Sequence, residues 1–165
     1  MKQIFLDLLR YNVWANARII SLLEMLTEEQ SLQSLGGSFP SVRDTTLHIW
    51  NAESIWWQRL MMHEPIILPT EHFNGGMKEA GEAWQLVSKE LLNFCEKIYD
   101  DRGLEHEFVY HTLKKEPMKS KVSECLQHVC NHSTFHRGQL VNYLRMLGVT
   151  KIPSTDFITF CREKK

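Results

Sequence analysis

Apolar residues recur at helical spacing along most of the chain, and four long stretches carry the pattern. From about Gln3 to Met25, the positions Ile4, Leu8, Tyr11 or Val13, Ile19, Leu22 and Leu23 keep a period near 3.6 and predict a first helix. Thr27-Glu-Glu-Gln30 has capping-box spacing and predicts a short helical turn. Leu35 to Pro40 reads as a loop, and Ser41-Val-Arg-Asp44 opens a second long helix, expected from about Val42 to Met62. Thr45, His48, Ala52, Ile55 and Arg59 form one stripe on it, beside an apolar surface widened by Trp50, Trp56 and Trp57.

Residues 65–76 mix prolines, glycines and apolar residues without a period, as binding loops and crossover connections do. A third helix is expected from about Lys78 to Tyr99 on the spacing of Ala83, Leu86, Val87, Leu91, Phe94 and Ile98, with Gly103 as its stop. Brief alternation over Phe108 to Leu113, with Lys114-Lys-Glu-Pro117 as a turn, predicts a small hairpin or extended excursion. A fourth helix runs from about Ser120 to Leu147 and stops at Gly148; Ile152 to Thr155 then precedes a short terminal helix, Asp156 to about Arg162. The expected fold is all-α: a four-helix bundle with a crossover connection between the second and third long helices, a short C-terminal helix, and a single domain over residues 1–165.

Composition narrows the function. At 165 residues and 43% hydrophobic, the chain suits one domain with a sizeable core. A formal net charge of −1 gives no electrostatic footprint for nucleic acid. No stretch approaches the eighteen or so apolar residues of a membrane span, and Asp7 and Arg10 interrupt the amino terminus too early for a signal sequence, so the cytoplasm is the expected compartment. Cys95, Cys125, Cys130 and Cys161 form no C-x-x-C pair and are expected to be reduced, some of them in the core. Cys125 and Cys130 lie near the histidine cluster described next, yet their spacing of five suits a shared helical face poorly.

The chemistry concentrates in Leu126-Gln-His-Val-Cys-Asn-His-Ser-Thr-Phe-His-Arg-Gly-Gln-Leu140, where His128, His132 and His136 fall at four-residue steps. Two imidazoles so spaced can address one cation, but His128 and His136 stand roughly 12 Å apart along the axis, so only one adjacent pair can serve. The inward seam runs Val122, Cys125, Val129, His132, His136, Leu140 or Gln139, Tyr143 and Leu147, which leaves His128 one step to the side. Two histidines on an apolar seam, facing a mid-helix His48, need partners for their ring nitrogens. A shared cation supplies them; so do carbonyls and water, if these are ordinary core or surface histidines. Asn51, Asn131 and Gln139 are candidate supporting residues, and Gly138 either allows a close helix approach or is incidental. Glu53 falls at the edge of the His48 stripe, where a solvated or ion-paired role is expected; Tyr11, Trp14 and Trp50 are either pocket or core.

Several of these residues carry a resemblance. His48 in a tryptophan-rich helix, Asn131-His132 followed by His136-Arg-Gly-Gln139, Leu144-Arg-Met-Leu-Gly148 and Tyr11-Asn-Val-Trp-Ala-Asn16 together resemble the DinB family of DinB/YfiT-like metalloenzymes, over nearly the whole chain. The resemblance implies a four-helix bundle holding one divalent transition metal through His48, His132 and His136; His63, His72, His106, His111 and His128 fall off the ligand positions. Zinc or nickel is foremost for three nitrogen ligands, and iron or copper also fits.

Thiol-dependent S-transferases and isomerases of the wider superfamily make a small-molecule substrate, such as a low-molecular-weight thiol, the expected partner. The family's name refers to DNA-damage induction and carries no implication of DNA binding. Metal-assisted hydrolysis, a non-catalytic metal-binding or sensing bundle and a metal-free helical interaction module are the alternatives. A homodimer is expected by analogy, with Trp56, Trp57 and Met61 as a candidate surface. No general base can be assigned.

Overall fold

The computed structural model describes residues 1–163. Helix α1 spans Lys2–Leu23, a one-turn α2 spans Glu28–Leu32, α3 spans Val42–Leu60 and α4 spans Met77–Ile98. A short turn α5, Asp101–Leu104, leads into an antiparallel hairpin of β1 (Glu107–His111) and β2 (Pro117–Lys121). Helix α6, Val122–Met146, follows β2 directly, and α7, Phe157–Glu163, closes the described chain. The mainly helical fold and its small hairpin match the expected architecture.

Capping chemistry sets the boundaries. Thr27 and Gln30 form the reciprocal capping box that their spacing predicts. The Ser41 hydroxyl accepts from the Asp44 backbone N–H at 3.0 Å and starts α3. Gly103 does not end the third long helix: the backbone becomes extended at Tyr99, and the Asp100 carboxylate caps a new turn by accepting from the Gly103 N–H at 2.7 Å. Gly148, at φ +87°, stops α6 in the left-handed region that favours glycine.

The long helices pack as a closed ring in the order α1, α4, α3, α6. Two apolar clusters fill the ring. One gathers Leu6 and Leu9 of α1, Leu60 of α3, Leu91 and Cys95 of α4 and the stretch from Val122 to Cys130 of α6. The other gathers Ile19, Ile20 and Leu23, then Ile49 and Trp50, then Met77 and Trp84, then Leu140 and Leu144. The first cluster takes the N-terminal halves of α1 and α6 but the C-terminal ends of α3 and α4. Helices α1 and α6 therefore run one way and α3 and α4 the other.

Two successive parallel neighbours need a connection that returns along the bundle, and residues 61–76 supply it. Gln58 pairs with both backbone groups of Ile67, at 2.8 and 2.9 Å; Asn51 binds Thr70; Phe73 meets Trp50 edge to face. Each later residue of the connection lies against an earlier residue of α3, so the segment climbs back alongside that helix.

Other aromatics settle into structural roles. Trp50 is core, and Tyr11 packs on Phe160 and Phe157 while its hydroxyl donates to the Thr155 carbonyl at 2.8 Å. Trp14 lies under Arg18 and donates to Glu163 at 3.0 Å. Of the two expectations for these residues, packing is the observed one, and α7 is docked onto α1 by it. Gly138 has open space where a Cβ would stand, so it permits no close helix approach. No helix among the described residues is long and apolar enough to cross a membrane.

Candidate metal centre

Helix α3 presents His48 two turns after its Ser41 cap, and α6 presents His132 and His136 one turn apart on the face toward α3. The three rings meet across that interface. His48 Nε2 lies 2.9 Å from His132 Nε2 and 3.1 Å from His136 Nε2. One ligand nitrogen from each residue falls within 4.8 Å of the other two. His136 is buried; His48 and His132 are half-buried. His128 lies exposed to one side with its ring against Trp56, outside the group.

The second nitrogen of His136 decides much of the chemistry. Its Nδ1 lies 2.7 Å from Gln139 Oε1, an acceptor, so Nδ1 carries the proton and Nε2 presents a bare lone pair to the other two rings. His48 Nε2 is close to two nitrogens at once, and at least one of these contacts is served by no proton of its own or only by a shared one. A cation among the three nitrogens resolves the conflict. Tetrahedral zinc, with Zn–N distances near 2.0–2.1 Å, separates its nitrogens by about 3.3 Å, within a few tenths of an ångström of the two spacings measured from His48. The donor set, one imidazole nitrogen from each of three residues within 4.8 Å of one another, could hold a divalent ion.

Electrostatics agree. Burial, and then the neighbouring His136, lowers the His48 imidazole to about 4. Burial, followed by His136, His48 and His128, lowers His132 to about 3. Both rings are neutral at pH 7 and have lone pairs to give. The Phe39 ring stacks on His48 at 3.9 Å between centroids and stands edge-on to His136, walling one side of the group. Phe39 is held there by Tyr143, whose hydroxyl donates to the Phe39 carbonyl at 2.9 Å and also reaches the Gly36 carbonyl.

Of the three supporting residues expected, Gln139 alone meets a histidine of the group among the described residues. Asn51 binds Thr70 of the crossover, and Asn131 is exposed. Cys125 and Cys130 lie in the apolar core with their thiols pushed up by burial to about 11 and about 12, where thiolate ligation is disfavoured.

Glu53 overturns its expectation. It is neither solvated nor directly ion-paired, but 1% exposed in the bundle interior. Oε1 accepts from Asn12 Nδ2 at 2.9 Å, Asn16 Nδ2 at 3.0 Å and the Ser133 hydroxyl at 2.7 Å, and Oε2 accepts from the Ser88 hydroxyl at 2.5 Å. The role of Phe39 also escapes a reading of the sequence, because an aromatic in a Gly-Gly-Ser-Phe-Pro loop has no period to say what it covers.

The fold and the three-histidine group together define a bundle of the kind that builds metal sites between facing helices. The DinB family model matches residues 1–163, and the chain belongs to the DinB family. Among curated proteins, Protein DinB of Bacillus subtilis (strain 168) is 28% identical over 166 residues, covering 95% of this chain and 93% of the relative.

Proposed function

We propose that this protein holds one divalent transition metal through His48, His132 and His136 and uses it in chemistry on a small molecule, of the thiol S-transfer kind. One observation carries the reading: three imidazole nitrogens from two helices converge within 4.8 Å, and the far nitrogen of one ring, His136, is held by Gln139. A cation with three protein ligands keeps an open position, where it acts as a Lewis acid that lowers the pKa of a water or thiol placed there.

The chain's own residues do the rest. Gln139 holds the His136 tautomer and ring plane. Phe39 covers one face of His48 and keeps water from that side. Glu53 is committed to four donors and is unavailable as a general base, so a thiol acidified by a bound cation would lose its proton to solvent rather than to this carboxylate. That division of labour favours a thiol nucleophile, since a thiol needs only a modest drop in pKa to ionise at neutral pH.

A panel of low-molecular-weight thiols with an aryl or alkyl halide electrophile tests the proposal. Thioether formation by zinc- or nickel-loaded protein, abolished in His132→Ala, is the expected result. Turnover on ester substrates but no thiol in the panel would replace S-transfer with hydrolysis. Stoichiometric metal without turnover on either would leave a binding or sensing bundle.

A further inference from the structure

Between the two apolar clusters, every long helix contributes polar residues to one buried layer. Asn12 and Asn16 come from α1, Glu53 from α3, Ser88 from α4, and Ser133 and Arg137 from α6; all six are buried. In sequence each falls between the residues its helix gives to the two clusters: on α1 between Leu9 and Ile19, on α3 between Trp50 and Leu60, on α4 between Trp84 and Leu91, on α6 between Cys130 and Leu140.

The layer pairs a carboxylate with a guanidinium that it does not touch. The two asparagines stand between them in parallel. Each donates its Nδ2 to Glu53 Oε1, and each accepts on Oδ1 from Arg137, at 2.5 Å for Asn12 and 2.7 Å for Asn16. Arg137 also donates to Thr134 Oγ1 at 2.8 Å, and its guanidinium lies 5.4 Å from the Tyr11 ring centroid. Charge is thus relayed across two amides rather than closed in one contact.

The layer is locked to the histidines by the shortest covalent route. Ser133 follows His132, Arg137 follows His136, and Glu53 is five residues beyond His48. Helix α6 therefore carries two stripes with the same four-residue step, about 100° apart: His132 and His136 toward α3, Ser133 and Arg137 into the layer. Sliding α6 by one residue against α3 and α1 would separate Ser133 from Glu53 and Arg137 from Asn12 and Asn16, leaving the buried guanidinium with Thr134 of its own helix and the carboxylate one donor short. Apolar side chains tolerate such a slip far better than this layer does.

We infer that the Glu53–Asn12/Asn16–Arg137 layer, with Ser133 and Ser88, is the register element of the metal centre: it sets the offset between α3 and α6 at which His48 meets His132 and His136. Its members are positioning residues, acting through the histidines. The inference rests on the proposed metal site.

Zinc affinity by competition with a chromophoric chelator, and the visible spectrum of the cobalt(II) form, test it in the full chain. Glu53→Gln keeps the shape and removes the charge; Ser133→Ala is a milder break beside His132. Leu91→Ala, in the apolar cluster, is the packing control. The layer variants are expected to bind zinc about tenfold or more weakly, the range typical of residues that orient ligands, and to shift the cobalt spectrum. Leu91→Ala is expected to lower the denaturation midpoint while leaving both readouts at wild-type values. Wild-type zinc affinity and an unchanged cobalt spectrum in Glu53→Gln and Ser133→Ala would overturn the inference and leave the metal site standing. A wild-type protein that takes up no metal would overturn both.

Discussion

His136 and Gln139, one turn apart on α6, form a 2.7 Å hydrogen bond that fixes which nitrogen of His136 faces His48. The far nitrogen of His136 is held by the same helix that presents the ring, so its orientation does not depend on a neighbouring element. Gln139→Ala is expected to reduce metal affinity by roughly 10- to 100-fold. Because Gln139 is only half-buried, stability should change little. Competition titration alongside denaturant unfolding of the metal-free protein separates the two effects.

The lowered imidazoles make the metal-free protein sensitive to acid. His48 titrates near 4 and His132 near 3 in the folded state, against about 6.5 in the unfolded chain. Above pH 6.5 both states are neutral at these positions, and neither ring affects stability. As pH falls below 6.5 the unfolded chain takes up protons that the folded protein refuses, so stability declines through pH 4. Denaturant midpoints measured between pH 7 and pH 4 should fall, and fall less steeply in His132→Leu, which removes one of the two groups.

Phe39 shields His48. Because burial is the largest cause of the lowered His48 pKa, Phe39→Ala should raise it toward 6.5. An NMR titration of the metal-free protein reads this directly; an unmoved His48 would mean that the bundle, not the loop, desolvates the ring.

The α3 cap should register as an ordinary capping contribution. Ser41→Ala removes the acceptor for the Asp44 N–H and is expected to cost about 1 kcal/mol, measured as a shift in denaturant midpoint without loss of helix elsewhere.

What could be read before the fold was known followed a simple division. The helices, the capping box at Thr27, the hairpin and the pairing of His132 with His136 all rest on spacings within one element. Four- and three-residue steps place side chains on a helix face regardless of tertiary context. The crossover was legible because residues 65–76 have no period of their own.

Glu53 was not legible. A carboxylate at the edge of a stripe is solvated unless donors reach it from elsewhere, and its donors come from α1, α4 and α6. The hint lay in Asn12 with Asn16 and Ser133 with Arg137, polar pairs four residues apart within otherwise apolar seams. Each pair alone reads as a solvated face; only the ring order of the helices turns them toward one another. Gly103 misled for a local reason, since Asp100 three residues before it is a stronger start signal than the glycine is a stop.

The measurement that tests the central claim most directly is elemental analysis of untagged protein, with His48→Ala and His132→Ala prepared in parallel. The convergence of ligands from α3 and α6 predicts about one divalent ion per wild-type chain, lost when either helix gives up its histidine. Folded wild-type protein that holds no metal even after incubation with zinc or nickel would contradict the account, and the three imidazoles would then be core histidines sharing protons.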